Sequence, residues 1–301
     1  MEAGDRALKA HGKALPDKGW ETIRKSDCCL KAPVGESAYD VIIRLRRELD
    51  LYANIRPAKS LPNVPSLNPH TDLVVVRENT EDLYSGLESG DEDRATATRV
   101  ITRRASERIA KYAFDLARGR RKTVTAIHKA NVMKKTDGLF LSACRQVATK
   151  YPEIAFSDML VDAAAMNLIR NPQQFDVMVT TNMFGDILSD EAAQVAGGLG
   201  LAASGNIGDD FAIFEPVHGC APDIAGTNTA NPTSLLLSAA MMLDWLGRRR
   251  GDDRATRASR ALYNAVNACL ANREFTRDLG GSLDTTEMGR TVTKRFSKEI
   301  S

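Results

Sequence analysis

Short runs of β-branched residues alternate with longer helical patterns, and this alternation constrains the fold more than any other feature of the sequence. Residues 74–76 form one such run, and residues 177–181 are β-branched apart from Met178. Polar residues bound both runs, which is typical of short buried strands. Elsewhere, residues 107–117 and 234–246 place apolar side chains along a helical face. Strands that alternate with helices predict an α/β fold.

Charge and cysteine content exclude several classes of protein. The 301 residues contain 41 Lys and Arg against 39 Asp and Glu, a net charge of +2, which does not indicate a nucleic-acid or membrane partner. The five cysteines include no CxxC pair and are odd in number, as expected for reduced cytoplasmic thiols. Neither a signal peptide nor an apolar run of about 20 residues is found, so we expect a cytoplasmic protein.

Residues 198–203 loosely fit the relaxed fingerprint of dinucleotide-binding loops. That fingerprint requires a helix directly after the glycines, whereas Asn206, Gly208 and two aspartates predict a turn. We therefore do not expect a classical Rossmann fold.

Two aspartates, Asp186 and Asp190, are candidate metal ligands. In a helix they lie at i and i+4 on one face, where two carboxylates repel unless a cation or an arginine lies between them. Hard divalent cations favour such oxygen ligands. Asp162, which follows an apolar stretch, is a candidate third ligand. A solvated helix start is the alternative for an isolated pair.

Three arginines, Arg46, Arg56 and Arg77, are candidates for binding carboxylates. The planar guanidinium grips a carboxylate with two hydrogen bonds, and Arg77 directly follows a predicted strand, where α/β proteins place ligands. For each arginine alone, a surface ion pair is the alternative.

Tyr84 and Lys129 are candidate proton carriers. Lys129 lies at the end of the apolar run 124–127, and a desolvated lysine near other cations can act as a general base. A solvated lysine and a packed tyrosine are the alternatives.

A loop rich in Gly and Pro, residues 218–223, is a candidate nucleotide site together with Asn231. Such loops let the backbone approach a ligand closely, although a structural turn is the alternative. An aspartate such as Asp223, placed beside a ribose, accepts hydrogen bonds from its hydroxyls and repels a 2′-phosphate, which favours NAD over NADP.

Taken together, residues 51–57, 76–81, 128–131, 182–190 and 214–219 resemble the isocitrate/isopropylmalate dehydrogenase family. The resemblance extends from Ala3 to Gly281 and implies the isopropylmalate dehydrogenase-like fold, two α/β domains with a cleft between them. It implies a discontinuous nucleotide-binding large domain, residues 1–51 and 197–301. Residues 52–196 would form a small domain with the dimerisation elements and the metal and substrate residues. It also implies a homodimer with shared active sites, or a tetramer.

The resemblance assigns a role to each candidate residue. Arg46, Arg56 and Arg77 would hold the substrate carboxylates. Asp186, Asp190 and the partner subunit's Asp162 would bind Mg²⁺ or Mn²⁺. Lys129 would be the base for the C2 hydroxyl, also across the dimer interface, and Tyr84 the acid that protonates the enol. The residues implied for NAD are Asn131, Glu215, His218, Gly219, Ala221, Asp223 and Asn231.

Substrate choice in this family depends on the helix that carries Arg46. Isocitrate enzymes place Ser and Asn where this sequence has Asp40 and Ile42. Asp40 would repel a third carboxylate, whereas Ile42 and Ile43 offer an apolar wall about one turn before Arg46. Such a wall suits an isopropyl group, each buried methylene contributing about 0.8 kcal/mol. We therefore predict NAD-dependent oxidative decarboxylation of 3-isopropylmalate to 4-methyl-2-oxopentanoate, a step of leucine biosynthesis.

Three alternatives remain open. Residues 77–81 are shared with isocitrate and homoisocitrate dehydrogenases, so either reaction is an alternative. A non-catalytic regulatory subunit is disfavoured because the Tyr, Lys and Asp residues are all retained. A small-molecule-binding protein on an unrelated α/β fold is disfavoured because candidate metal ligands and a cofactor loop occur together.

One feature of the family is missing from the sequence. Family members begin with a strand and a Gly-Asp-Gly-Ile-Gly-Pro-Glu turn, whereas this sequence starts near the family's second strand. We therefore expect the first strand to be missing, with apolar surface exposed and the nucleotide pocket weakened.

Overall fold

A mixed sheet of eight strands forms the centre of the computed structural model, which describes residues 2–37 and 39–300. The strands of these residues are β1 (Cys29–Leu30), β2 (Ala53–Lys59), β3 (Asp72–Glu78), β4 (Glu88–Gly90), β5 (Ala95–Ala97), β6 (Thr123–His128), β7 (Ala155–Leu160), β8 (Val177–Thr180), β9 (Ala203–Ile207) and β10 (Ala212–Pro216). The sheet order is β1-β10-β9-β2-β3-β8-β6-β7, while β4 and β5 form a separate hairpin. The four strands from β3 to β7 in this order are parallel, and β2 and β9 are antiparallel to their neighbours.

Helices cover both faces of the sheet. They are α1 (Asp5–His11), α2 (Asp17–Arg24), α3 (Arg44–Glu48), α4 (Arg103–Arg118), α5 (Thr136–Ala148), α6 (Val161–Arg170), α7 (Asn182–Ala196), α8 (Thr233–Arg250), α9 (Asp253–Ala271) and α10 (Thr285–Ile300). Along β3, Val74 and Val76 pack with Ile109 of α4, whereas Val75 packs with Leu188 of α7. Since side chains alternate along a strand, α4 and α7 lie on opposite faces.

Strand β2 joins the two predicted domains within one sheet. It pairs with β3 over seven residues and with β9 over three, and β9 lies beyond the predicted boundary at residues 196 and 197. Backbone hydrogen bonds therefore run across the predicted boundary. The division into two domains stays a prediction.

Most predicted elements are present with longer bounds. The predicted strand 74–76 extends to all of β3, and the predicted helix 234–246 is the central part of α8. Residues 199–201 form a 3₁₀ turn that leads into β9 rather than a helix. Residues 88–90 pair with β5 as one arm of a short exposed hairpin.

Within the described ranges, no helix is long and apolar enough to cross a bilayer. The strand nearest the start of those ranges is β1, a two-residue strand at the sheet edge beside β10. The missing first strand stays a prediction.

Candidate active site

Parallel strands bring several of the predicted residues to one edge of the sheet. Arg77 lies near the carboxyl end of β3, Lys129 directly follows β6, Asp162 closely follows β7, and Asn182 follows β8 as the first residue of α7. Ligands of α/β proteins bind at the carboxyl ends of such strands. The topology therefore places chemistry-bearing side chains at the edge where a ligand is expected.

Helix α7 carries the two predicted metal ligands. It begins after Thr181, and Asp186 and Asp190 lie four residues apart within it, as predicted. Gly185 lets this helix approach β3 closely: a Cβ atom added there would lie 2.5 Å from Cγ of Arg77. The side chain of Arg77 therefore passes under the helix and reaches Asp186.

Arginines and a tyrosine converge on these carboxylates. Arg77 Nη1 donates to Asp186 Oδ1, and Arg56 Nη2 lies 3.3 Å from the same oxygen. Tyr84 Oη donates to Asp186 Oδ2 at 2.5 Å. Arg56 Nη1 donates to Asp190 Oδ1 at 2.9 Å. Residues that are far apart in the sequence thus surround one carboxylate, Asp186.

The cations lie deep and the carboxylates lie towards solvent. The side chain of Arg77 is 1% exposed, while those of Asp186 and Asp190 are 37% and 50% exposed. Burial raises the pKa of Asp186, but the charges of Arg77 and Arg56 and the Tyr84 hydroxyl hold that pKa below its ordinary value. For Asp190, burial and then the charge of Asp186 raise the pKa against the opposing charge of Arg56.

These oxygens suit a hard divalent cation such as Mg²⁺ or Mn²⁺. Asp186 and Asp190 offer only carboxylate oxygens, the ligand type that such ions prefer. The raised pKa of Asp190 reflects a carboxylate whose charge Arg56 only partly offsets, and a cation between the two aspartates would stabilise that charge. No cluster of three or more His, Cys, Asp or Glu is found in the described part of the chain, and Asp186 and Asp190 stay a candidate pair of ligands.

Arg46, the third predicted arginine, turns to other partners. Its Nε donates to Asn206 Oδ1 at 2.9 Å, and its Nη2 lies 3.5 Å from Glu215 Oε1. Burial, and then the nearby charge of Arg77, lower the pKa of Arg46 to about 10. Its charge still helps to lower the pKa of Asp186, so it belongs to the same cluster.

Glu215 was predicted to bind the nucleotide, and its position argues against a direct contact. The side chain is buried, with Lys31 Nζ 2.6 Å from Oε2 and Asn206 donating to Oε1 at 2.9 Å. Lys31 and Arg46 lower the pKa of Glu215 despite its burial. The carboxylate of Glu215 therefore pairs with protein groups, and its charge stabilises the buried guanidinium of Arg46.

The predicted apolar wall is only partly supported. Ile42 is 8% exposed and lies one helical turn before Arg46. Ile43 instead lines an outer surface depression with Tyr39, Asp40 and Arg44. Within the helical turn Tyr39–Ile43, the adjacent side chains of Ile42 and Ile43 point in different directions, and only Ile42 is buried. Ile43 is therefore a poor candidate for the apolar wall.

Lys129 and Asp162 pair with each other and not with the arginine cluster. Lys129 Nζ donates to Asp162 Oδ1 at 2.7 Å, and this hydrogen bond lowers the pKa of Asp162. The lysine ammonium was expected beside other cations, but here its neighbour is a carboxylate. None of the contacts described within one chain joins this pair to Asp186 or Asp190. Their action across a dimer interface stays a prediction.

The predicted nucleotide loop lines a cavity of about 790 Å³. His218, Gly219, Ala221 and Asn231 are among its lining residues. Asp223 lies on the adjoining 3₁₀ turn Pro222–Ile224 and is exposed. Asn131, also predicted to bind the cofactor, is exposed in the turn after β6 and is not a lining residue of this cavity.

Sequence reasoning missed a supporting arginine, Arg99. It donates to Asp82 at 2.6 Å, to Asp137, and to Thr181 Oγ1 at 2.7 Å. Asp82 begins the turn that carries Tyr84, and Asp137 accepts a hydrogen bond from the backbone of Lys129. Since these partners are distant in sequence, only the fold reveals the connection.

Comparison with known proteins agrees with the resemblance seen in the sequence. A family model described as "Isocitrate/isopropylmalate dehydrogenase" matches residues 1–292. A 3-isopropylmalate dehydrogenase of Archaeoglobus fulgidus is 55% identical over 97% of this chain and 87% of its own length. One of Sulfurisphaera tokodaii is 54% identical, over 96% and 86%. A crystal structure of isocitrate dehydrogenase from Methylococcus capsulatus superposes with a TM-score of 0.89 at 44% identity, covering 98% of this chain and 89% of that one.

Proposed function

This chain belongs to the isocitrate/isopropylmalate dehydrogenase family, and we propose that it catalyses the NAD-dependent oxidative decarboxylation of 3-isopropylmalate to 4-methyl-2-oxopentanoate, a step of leucine biosynthesis. One observation carries the proposal. Asp186 and Asp190 occupy one face of α7 against Arg56 and Arg77, with Tyr84 on the same carboxylate. Such a site suits a divalent cation and a dicarboxylic acid together, because a bound cation would replace the arginines as partner of the aspartates.

The arginines of the site would bind the substrate, and Lys129 and Tyr84 would transfer protons. Arg46, Arg56 and Arg77 hold the two carboxylates of the substrate, which fixes C2 for reaction. Lys129 accepts the proton of the C2 hydroxyl as the hydride leaves C2. The bond to the leaving carboxylate then breaks to release CO₂, and its electron pair passes to the 2-oxo group to form the enolate. Tyr84 donates a proton to the carbon that lost CO₂.

Two bound groups complete the reaction. Bound Mg²⁺ or Mn²⁺, held by Asp186 and Asp190, supplies a Lewis acid, and bound NAD supplies the hydride acceptor. The cavity beside His218, Gly219, Ala221 and Asn231 supports the nucleotide site. The exposed Asp223 on its rim supports NAD over NADP, because its charge repels a 2′-phosphate.

We also propose a homodimer in which the partner's Lys129 and the partner's Asp162 complete each site. Met166 and Ile169 follow Asp162 at i+4 and i+7 along α6, and they are 65% and 62% exposed. Ile187 of α7, between Asp186 and Asp190 in sequence, is 57% exposed. Large apolar side chains exposed next to candidate metal ligands are expected at an interface.

Mixing two inactive variants tests the shared site. Lys129→Ala and Asp186→Asn each disable every site of their own dimers. Exchange of subunits produces heterodimers with one intact site, so the mixture should recover roughly a quarter of wild-type activity. Co-purification of an untagged variant with a tagged one would verify that subunits exchange. Mixtures that exchange subunits but stay inactive would contradict the shared site.

A substrate panel tests the reaction itself. NADH formation with Mg²⁺ or Mn²⁺ should be fastest with 3-isopropylmalate among 3-isopropylmalate, isocitrate, homoisocitrate and malate. Ile42→Ala should lower kcat/KM for 3-isopropylmalate about tenfold and leave malate nearly unchanged, because only the isopropyl group loses contacts. Ile43→Ala is the matched control. A preference for isocitrate would refute the proposed substrate.

Isocitrate oxidation is the second candidate. The similar solved structure from Methylococcus capsulatus is that of an isocitrate dehydrogenase. The substrate panel separates the two, because isocitrate has a third carboxylate that Ile42 cannot bind with a hydrogen bond.

A further inference from the structure

Asn206, in the middle of β9, is a buried junction of hydrogen bonds. Its Oδ1 accepts from Arg46 Nε at 2.9 Å, Asn79 Nδ2 at 3.0 Å and Asn54 Nδ2 at 3.1 Å. Its Nδ2 donates to Glu215 Oε1 at 2.9 Å. The guanidinium of Arg46 can only donate, so the amide oxygen must face it. The orientation of this amide is therefore fixed by its partners.

A second amide extends this junction to another arginine. Asn54 of β2 is the cross-strand partner of Asn206, and Asn54 Oδ1 accepts from Arg56 Nε at 2.7 Å. Asn206 therefore holds Arg46 directly and Arg56 through Asn54. Both bonds use Nε. The Nη atoms of Arg56 reach Asp186 and Asp190 of the site, whereas Nη2 of Arg46 lies 3.5 Å from Glu215 Oε1.

The chemistry of the acceptor is suited to this position. An acid at position 206 would neutralise Arg46 and weaken its attraction for a substrate carboxylate, whereas an amide orients the guanidinium and leaves its charge available. The acid of the network, Glu215, lies 3.5 Å from Arg46 and shares its charge with Lys31 at 2.6 Å. Buried amides are also costly unless their hydrogen bonds are made, so apolar residues would stabilise the two strands more simply.

We propose that Asn206 is a positioning residue that sets the orientation of Arg46 and, through Asn54, of Arg56 for binding the substrate carboxylates. This inference rests on the proposed function. The amide is fully buried and so would touch neither substrate nor cofactor. It acts by holding two guanidinium planes that a dicarboxylic acid must meet at the same time.

The main test replaces Asn206 with leucine, which has the same branched arrangement of side-chain heavy atoms and no hydrogen-bonding group. Asn206→Leu should lower kcat/KM for 3-isopropylmalate about 100-fold, mostly through KM, because a misplacement of about 1 Å is this costly. NAD affinity, measured by calorimetry, should change less than about threefold, because Asn206 lies outside the nucleotide cavity. The matched control is Ser204→Ala, two residues away on β9, which loses only a hydrogen bond to the backbone oxygen of Glu215.

A double-variant measurement separates positioning from simple loss of stability. In an Arg46→Gln background, Asn206→Leu should lower kcat/KM by about tenfold or less, because only the connection through Asn54 to Arg56 remains to be lost. Ser204→Ala should change kcat/KM by the same factor in the wild-type and Arg46→Gln backgrounds. A full 100-fold loss in the Arg46→Gln background, or an equal loss in the Ser204→Ala control, would overturn the inference.

A second variant covers the case in which Asn206→Leu does not fold. Asn54→Ser removes the acceptor for Arg56 Nε together with the donor to Asn206 Oδ1, while Asn79 still donates to Asn206, and it should lower kcat/KM about tenfold. That loss should disappear in an Arg56→Gln background, and its persistence there would count against the inference. Wild-type activity is measured first: an inactive wild type refutes the proposed function, whereas an active wild type with unaffected variants refutes the positioning role alone.

Discussion

The arginine cluster and the loop segment 217–231, which contains the predicted nucleotide residues 218–223 and Asn231, are built in opposite ways. Arg46, Arg56 and Arg77 are 6%, 8% and 1% exposed, and side chains from separate elements fix their directions. Most of the loop is exposed, and hydrogen bonds among its own residues, such as Thr227 Oγ1 to the oxygen of Ile224, hold its turns.

This difference separates two kinds of recognition. A small charged ligand gains most from rigid, buried donors whose geometry is fixed before it binds. A larger nucleotide can be held by many weaker contacts with exposed backbone. We therefore expect single substitutions to have large effects in the arginine cluster and moderate effects in the loop.

The largest effect is expected from Asp186→Asn, which tests whether the arginine cluster depends on one carboxylate. The variant loses the carboxylate charge that Arg56 and Arg77 contact here and that would hold the cation, and kcat/KM should fall by about 10³-fold. Steady-state kinetics over a range of Mn²⁺ concentrations measures both kcat/KM and the metal requirement. Glu191→Gln, on the same helix, is the control. Turnover within tenfold of wild type at an unchanged metal requirement would contradict the assignment.

Tyr84→Phe should have the next largest effect. The hydroxyl that donates to Asp186 is lost, and kcat should fall by about 10²-fold, as is usual when a general acid is removed. KM should change little, because the arginines remain. Tyr112→Phe, on the partly buried face of α4, controls for loss of a hydroxyl. A fall in substrate affinity with unchanged kcat would show that Tyr84 binds substrate and transfers no proton.

The nucleotide loop is tested by Asp223→Lys. Loss of the ribose hydrogen bonds should lower kcat/KM with NAD by about 10- to 100-fold, and the new cation should improve the use of NADP. Kinetics with both cofactors measures the change, with Asp253→Lys on α9 as the control for surface charge. An unchanged preference for NAD would place the ribose elsewhere.

The smallest effect concerns the stability of the turn that carries Tyr84. Burial, and then the charge of Glu78, raise the pKa of Glu81 to about 7 against the hydrogen bonds from Thr102. A raised pKa means that the stabilising contribution is present below the unfolded value of 4.5 and is lost as pH rises through about 7. Glu81→Gln should therefore raise Tm relative to wild type more at about pH 8 than at about pH 5. Thermal unfolding of both proteins at both pH values measures this. A Tm difference between variant and wild type that is the same at the two pH values would contradict the raised pKa of Glu81.

The α/β class and the place of the two aspartates were predictable from sequence for identifiable reasons. Strand runs such as residues 74–76 and the four-residue spacing of Asp186 and Asp190 are local patterns, and local patterns determine periodicity and the face of a helix. The family resemblance supplied the arginines, whose convergence depends on strand order.

What could not be predicted depends on pairing between distant segments. Nothing in the sequence beside Asn206 indicates that Asn54 lies opposite it, although an asparagine within a strand is itself unusual. The family resemblance assigned Glu215 to the nucleotide site, whereas on the buried strand β10 its side chain pairs with Lys31 inside the protein. The direction of Ile43 could not be predicted because the π-helical turn changes the usual helical spacing.

The close passage of Arg77 beneath Gly185 has a consequence for how this site can vary. A side chain as small as alanine at 185 would collide with the stem of the arginine and displace α7, and both aspartates move with that helix. In a library randomised at both positions and selected for growth without leucine, glycine should be recovered at 185 in every survivor that keeps arginine at 77. The residue at 77 therefore restricts which residue position 185 can accept, although more than one hundred residues of chain separate the two positions.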